Sequence, residues 1–267
     1  GQTIPYVFVG EKNDRRMIVT GGIHAREHLT SLVVVCLAKY LVAHPEKVML
    51  GGIYFVPTVN PDGMRLCQEG VGFVEDKERK SNLLAINGGN TDFSLWKANA
   101  DGVDLNVNFD AEWGTGKSNV FCKSSENYVG KSPFSAAESR ALAEFTRLVD
   151  PIVTLSYHLK GEEIYWYFGQ GGDNLVRDEK LAQAVARHTG YRLIGDTRGS
   201  AGGYKDWCVQ RLGIPSFTIE VGNDKFPHPF PYAELRNILT QNEDLPRLLL
   251  NTVARGDSTR HYGISTE

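Results

Sequence analysis

Residues 19–35 read VTGGIHAREHLTSLVVV, with two histidines, a glutamate and an arginine inside five positions, His24 to His28. A glycine pair precedes them and an apolar run follows. Three readings compete for this stretch. It can be a helix entry with polar residues at its mouth. Taken as His-x-x-Glu-His on one helix, it would place His24 and His28 one turn apart as zinc ligands, with Glu27 as base. Or His24 lies in the turn after the glycines and pairs with Glu27 from the first helical turn, leaving His28 a bystander. Gly21-Gly22 directly before His24 put it in the turn and favour the last reading. That reading requires a third ligand elsewhere, because catalytic zinc takes three protein ligands and keeps one position open.

The flanking sequence supplies the setting. RMIVTGG (16–22) is a short β-branched run ending in glycines, a strand that leads into a turn. HLTSLVVVCLAKYLVAH (28–44) predicts a buried helix stopped by Pro45. GGIYFVPTVNPDG (51–63) reads as a second strand and a Pro-Asp-Gly turn. FSAAESRALAEFTRLV (134–149) is an amphipathic helix with Ser135 and Glu138 spaced as a capping box. PIVTLSYH (151–158) and IPSFTIEVG (214–222) are strands with His158 and Glu220 near their C-terminal ends. EKLAQAVARHTG (179–190) is a helix closed by Gly190, and a last helix over 232–255 is interrupted at Pro246. Residues 66–101, rich in Gly, Asn, Lys and Glu, read as a long surface loop. This alternation predicts a single α/β domain over residues 1–267, with helices on both faces of a sheet. Ligand sites in such folds lie beyond the carboxyl ends of strands, and His24, His158 and Glu220 all fall there.

Bulk properties narrow the function classes. A 267-residue chain with 41% hydrophobic and 23% charged residues is of ordinary globular composition. A formal charge of −3 gives no electrostatic reason to expect nucleic acid or an anionic membrane. No apolar run reaches the ~20 residues of a membrane helix, and no visible signal peptide opens the chain. Cys36, Cys67, Cys122 and Cys208 form no Cys-x-x-Cys pair, which fits reduced thiols in a cytoplasmic setting. Oligomeric state has no sequence signature here. For the third ligand, His158 at the end of its strand is the candidate. His44, His188 and His261 lie near helix ends or in the tail, and His228, in the Pro-rich FPHPFP, is the fallback.

Taken together, these motifs resemble the zinc carboxypeptidase family (the carboxypeptidase A-like metallopeptidases) over nearly the whole chain. HARE matches the family's H-x-x-E, TVNPDG resembles its Asn-Pro-Asp-Gly segment, and GVDLNVNFD looks like its G-V-D-L-N-R-N-F segment. SYH falls where its third ligand is expected, and SAGGYKDW resembles its S-G-G-x-x-D-W turn. Glu220, thirteen positions after Trp207 in FTIEVG, matches the catalytic glutamate. The resemblance implies a mixed, twisted sheet in one catalytic domain and one zinc ion per chain held by His24, Glu27 and His158. Glu220 would then be general base and acid toward a metal-activated water. Asp104 reads either as hydrogen-bonding a ligand histidine or as plain turn chemistry.

The sequence also departs from the family pattern. Where the carboxylate clamp has an Asn-Arg pair, Asn106 remains but Val107 replaces the arginine. Lys97 in LWKAN is the nearest match to the arginine that polarises the scissile carbonyl. Arg198 stands where a tyrosine closes over substrate, and Lys205 stands where a residue lines the side-chain pocket. Arg26, Asn106, Arg198 and Lys205 are therefore the candidate substrate-binding residues, and the relocated positive charge implies a peptide substrate with an anionic group. YHLKGEEIYW resembles the stretch after the ligand in bacterial enzymes that cleave γ-D-glutamyl–diaminopimelate bonds, which makes a cell-wall muropeptide one expected substrate. The alternatives are an ordinary carboxypeptidase preferring C-terminal acidic residues, and a catalytically weak metal-bound module that only binds peptides.

Overall fold

The computed structural model describes residues 2–257. The ends of the expected 1–267 domain, with His261, lie outside the described residues. Seven strands form one sheet in the order β1-β3-β2-β4-β7-β5-β6. They are β1 (Val7–Gly10), β2 (Arg16–Thr20), β3 (Gly52–Val56), β4 (Val153–Leu159), β5 (Glu163–Tyr165), β6 (Arg192–Ile194) and β7 (Ser216–Val221). The central strands run parallel, β1 pairs antiparallel with β3, and β5 pairs antiparallel with β7. The sheet is mixed, as expected. Among the described residues eight α-helices accompany it: α1 (Leu29–Ala43), α2 (Pro61–Glu69), α3 (Lys77–Ile86), α4 (Ala137–Val149), α5 (Gly172–Thr189), α6 (Tyr204–Leu212), α7 (Leu235–Asn242) and α8 (Leu245–Asp257).

The period-2 alternation of the central strands divides the core between two faces. Met17, Val19, Val153, Leu155, Tyr157, Phe217 and Ile219 join one cluster with residues of α1, α5, α7 and α8. Ile18 points the other way, into a cluster with Leu142 of α4 and Trp207 of α6. On that second face β4 and β7 carry polar side chains, Thr154, Ser156 and His158 beside Ser216, Thr218 and Glu220. Thr154 and Ser216 share a hydroxyl hydrogen bond of 2.5 Å, and Thr20 donates to Ser156 at 3.0 Å. Polar residues buried on a sheet face need such partners. Towards the C-terminal ends of the strands the row changes from mutually satisfied hydroxyls to His158 and Glu220.

A third, smaller apolar cluster lies off the sheet. Leu66, Cys67, Val71, Leu83, Phe93, Trp96 and Ala98 enclose Ala25, the residue after His24. This lobe is built from the region read as a surface loop, and that expectation is corrected. Residues 66–101 contain the end of α2, a 3-10 turn over Gly70–Phe73 and all of α3. Asp76 caps α3 by accepting from Arg79 N at 2.7 Å.

Two other expectations are corrected. The Pro-Asp-Gly segment is not a turn but the start of α2, with Pro61 in its first turn and Asn60 accepting from Gly63 N at 3.0 Å. Asn60 also donates to Ile23 O and Ala98 O, joining the histidine turn to the lobe. The Ser135–Glu138 capping box does not form. The amino end of α4 is capped from 28 residues away by buried Asn108, which accepts from Ala136 N at 3.0 Å and Ser139 Oγ at 2.6 Å. A fixed external acceptor leaves Ser135 free to accept from the Asn108 amide instead. The last helical stretch divides as expected before Pro246, into α7 and α8. Among the described residues no helix is long and apolar enough to cross a membrane.

Candidate metal centre and active site

The histidine turn is made by two glycines in tight quarters. Gly22 has φ +58°, open to glycine without the Cβ strain of other residues, and a Cβ on Gly21 would meet Thr30 O at 2.7 Å. Gly22 N donates to Thr30 Oγ1 and Gly21 N to Val56 O. His24 follows in extended conformation, Ala25–Glu27 form one 3-10 turn, and His28 is the cap of α1. The two histidines therefore do not share a helix, and the His-x-x-Glu-His reading fails on geometry.

His24 Nδ1 lies 2.8 Å from Glu27 Oε1, and His158 Nδ1 lies 3.3 Å from Glu27 Oε2. Leu159 N, at the end of β4, donates to Glu27 Oε2 at 3.2 Å. All three side chains are buried. Among the described residues, His24, Glu27 and His158 are the one set of His, Cys, Asp or Glu side chains close enough to share a metal, with ligand atoms within 4.8 Å of one another. Neither His28 nor His228 joins the set. Two imidazoles and one carboxylate suit zinc, so the donor set fits that ion. Burial pushes the Glu27 carboxyl up, but His24 and His158 outweigh it and hold the group well below the usual carboxylate range.

Behind His24 stands Asp104, wholly buried, with Oδ1 3.4 Å from His24 Nε2 and Oδ2 2.9 Å from Lys97 Nζ. It also accepts from Asn106 N and Asn127 N, both at 3.1 Å. Burial alone would raise the Asp104 carboxyl. Lys97 and His24 reverse that and hold it well below the usual range.

Strand register brings Glu220 to the same place. His158 and Glu220 are direct partners across β4 and β7, and Glu220 and Glu163 are partners across β7 and β5. Three neighbouring strands thus align a histidine and two carboxylates on one face. Glu220 Oε2 is buried without a hydrogen-bond partner. Burial pushes the carboxyl up to about 8, with Glu27 and Glu163 adding to the rise and His158 opposing it. A carboxyl poised near neutrality can take and return a proton.

A cavity of about 230 Å³ opens beside this group. His24, Lys97, Asn106, Arg198, Lys205 and Glu220 are on its walls. Arg26 is elsewhere, with Nη1 3.2 Å from Glu126 Oε2 and 3.3 Å from Leu95 O. Asn106 Oδ1 accepts from Tyr204 N at the start of α6. The Lys205 ammonium is 2.5 Å from Asp206 Oδ1 and donates to Tyr167 O at 2.9 Å. Arg198 meets Glu163 through both terminal nitrogens, at 3.2 and 3.3 Å. Val107 is buried, and its carbonyl is crossed closely by Gly202 (φ +80°), where a Cβ would come within 2.8 Å of Val107 O. Sequence reasoning missed Glu163 and Tyr165. The doubled glutamate before an aromatic run in GEEIYW was the available signal.

Comparison with known proteins agrees with this geometry. The family model described as Peptidase M14, zinc carboxypeptidase, matches residues 2–244. The γ-D-glutamyl-L-diamino acid endopeptidase 1 of Lysinibacillus sphaericus is 32% identical over 252 residues, covering 89% of this chain and 61% of that protein. An inactive metallocarboxypeptidase ECM14 of Arthroderma gypseum is 26% identical over 190 residues, 65% of this chain and 30% of its own. The chain thus spans at most about 61% of these relatives. In fold, it resembles bovine thrombin-activatable fibrinolysis inhibitor, with TM-score 0.77 and 20% identity over 95% of this chain and 86% of the other.

Proposed function

Because the chain belongs to the zinc carboxypeptidase family, we propose that it is a zinc-dependent peptidase whose substrate is a γ-D-glutamyl–diamino acid bond of the cell-wall type. The observation that carries the hydrolytic part is the convergence of His24, Glu27 and His158 beside a half-buried Glu220, whose Oε2 has no hydrogen-bond partner and which is in strand register with His158. His24 and His158 would hold the ion through Nδ1 and Glu27 through its carboxylate. Bound there, zinc supplies Lewis acidity, polarising the scissile carbonyl and acidifying a water. Glu220 takes the proton of the attacking water and returns it to the leaving amine. Asp104 fixes the His24 ring through Nε2. Lys97 presents a charge to the cavity in the role of the missing arginine, and Asn106 is the remaining half of the terminal clamp.

Support for the substrate comes from the Lysinibacillus relative and from the cations Lys97, Arg198 and Lys205 on the cavity wall. Lys205 also favours a second reading, a carboxypeptidase preferring C-terminal Asp or Glu. Zinc-loaded protein incubated with a γ-D-glutamyl-meso-diaminopimelate peptide and with a blocked peptide ending in Glu separates the two. Release of free diaminopimelate is expected. Release of Glu alone transfers the assignment to the second reading. Full zinc stoichiometry with no turnover of either would make the protein a binding module.

A further inference from the structure

Residues 125–128 touch the surroundings of the metal ligands at four points in succession. Ser125 O accepts from Lys97 N at 3.0 Å and from Ala98 N at 2.9 Å. Glu126 Oε2 lies 3.2 Å from Nη1 of Arg26, in the turn between His24 and Glu27. Asn127 N donates to Asp104 Oδ2 at 3.1 Å, and Tyr128 O accepts from Asp104 N at 2.9 Å. One short segment thus holds the backbone at Lys97, the guanidinium beside the ligands, and both the amide and the carboxylate of Asp104.

An extended chain does not give this pattern. In a strand the N–H of one residue and the C=O of the next face opposite sides. Asn127 N and Tyr128 O nevertheless both reach Asp104, because Asn127 has φ +63° and turns the chain between them. Asparagine and glycine are the residues that adopt this left-handed backbone most readily. Neighbouring bonds hold the kink, with Val120 N donating to Asn127 O at 2.9 Å and Val129 N to Val120 O at 3.3 Å. A residue kept in that region by its surroundings indicates a role at the adjoining site.

The kink aims at a carboxylate with two donors on each oxygen. Asp104 Oδ1 faces His24 Nε2 at 3.4 Å and accepts from Asn106 N. Its Oδ2 faces Lys97 Nζ at 2.9 Å and accepts from Asn127 N. The lysine stem is flexible, whereas the two backbone amides are fixed, so the amides set the plane of the carboxylate. Without the Asn127 amide, Oδ2 is left to Lys97 alone and Oδ1 is free to turn from His24.

We propose that Asn127 is a positioning residue of the metal centre that acts through Asp104: its left-handed backbone aims the amide that holds the Asp104 carboxylate towards His24 and Lys97. The proposal rests on the zinc reading, because Asp104 bears on an ion only through the ligand His24.

Zinc affinity of Asn127 variants, measured by competition against a chromophoric chelator, tests it. Glycine keeps both the amide and the conformation, so Asn127→Gly should bind zinc within about twofold of wild type. Asn127→Val, whose branched side chain resists a positive φ, should lose about tenfold, the lower end for an outer partner of a metal ligand. Asn127→Ala should fall between them, and carries the comparison if Asn127→Val does not fold. A role confined to loop stability would lower the urea midpoint of the metal-free protein and leave zinc affinity unchanged, which overturns the proposal. The route is tested by adding Asn127→Val to Asp104→Asn. An effect carried by Asp104 adds little to the loss already caused there, whereas losses that multiply refute that route. A wild type that takes up no zinc refutes the peptidase reading together with this one. Zinc uptake by wild type that is indifferent to Asn127 refutes this one alone.

Discussion

Replacing Asp104 by Asn tests both the structural and the metal-ordering roles of one side chain. The carboxylate is wholly buried and has four partners: Lys97 Nζ at 2.9 Å, His24 Nε2 at 3.4 Å, and the amides of Asn106 and Asn127 at 3.1 Å. Asparagine keeps the volume and one acceptor, so it creates no cavity. It removes the anion, and Lys97, half-buried at the cavity wall, loses its direct counterion and keeps only the more distant charge of Glu27. Breaking a fully buried pair from one side costs about 3–5 kcal/mol; with Lys97 17% exposed the loss falls at or below the lower end of that range, still a sizeable share of the ~5–15 kcal/mol typical of a whole domain. The His24 ring loses the anion 3.4 Å from its Nε2, and an outer partner of a metal ligand is typically worth about 10–100-fold in affinity. Urea unfolding with chelator present measures the first effect without the stability that bound ion adds. Competition against a chromophoric chelator measures the second. The double variant Lys97→Met/Asp104→Asn discriminates further, because deleting the stranded charge should restore much of the stability and none of the zinc affinity. If Asp104→Asn binds zinc within twofold of wild type, Asp104 does not order His24. If the double variant is no more stable than the single, the ion pair does not dominate the site's energetics.

Three further outcomes are expected. Glu220→Gln should keep zinc stoichiometry and lose about 10²–10⁴ in kcat; a loss of only a fewfold would remove Glu220 from proton transfer. Gly202→Ala places a Cβ against Val107 O at a positive φ, so it should destabilise by more than about 1 kcal/mol in urea melts. A neutral result there would mean the turn is not held against the Val107 segment. Asp244 is raised by burial but held below its ordinary value by Arg247 and Lys47. A depressed folded value gives stability that is present above about pH 3.9 and lost as pH falls through the folded value. Asp244→Asn should therefore lie below wild type in thermal stability near neutrality and converge with it in acid, and parallel curves down to pH 3 would contradict the assignment.

What could be read from residues alone was whatever is local. His24, Glu27, His158 and Glu220 lie at strand ends or in glycine turns, where a few neighbours dictate the backbone. The α3 segment KERKSNLLAI was taken for loop because its apolar residues, Leu83, Leu84 and Ile86, crowd at one end and give no period. Its helix depends on the Asp76 cap and on a lobe that exists only after folding. Ser135 and Glu138 had the right spacing for a cap, but a buried amide from a distant segment occupies that role. Glu163 was marked only by the doubled glutamate of GEEIYW, and its role was hidden for the same reason. Its importance comes from Arg192 and Arg198, which only the pairing of β5 with β6 brings near. Arg26 was named for substrate binding from its match between two ligand positions; in the fold its guanidinium meets Glu126 and Leu95 O.

Ala25 is fully enclosed by the small lobe of α2, α3 and the Phe93–Ala98 stretch, and its amide is bonded to Lys97 O. The imidazole before it and the carboxylate two residues after it are thereby clamped by a piece of protein outside the sheet, while His158 is carried by the sheet itself. Loosening of that lobe would spread the donor atoms apart without touching the cavity. Drift in its packing would be felt as faster escape of the ion, and exchange of the lobe between homologues should alter metal retention far more than substrate choice.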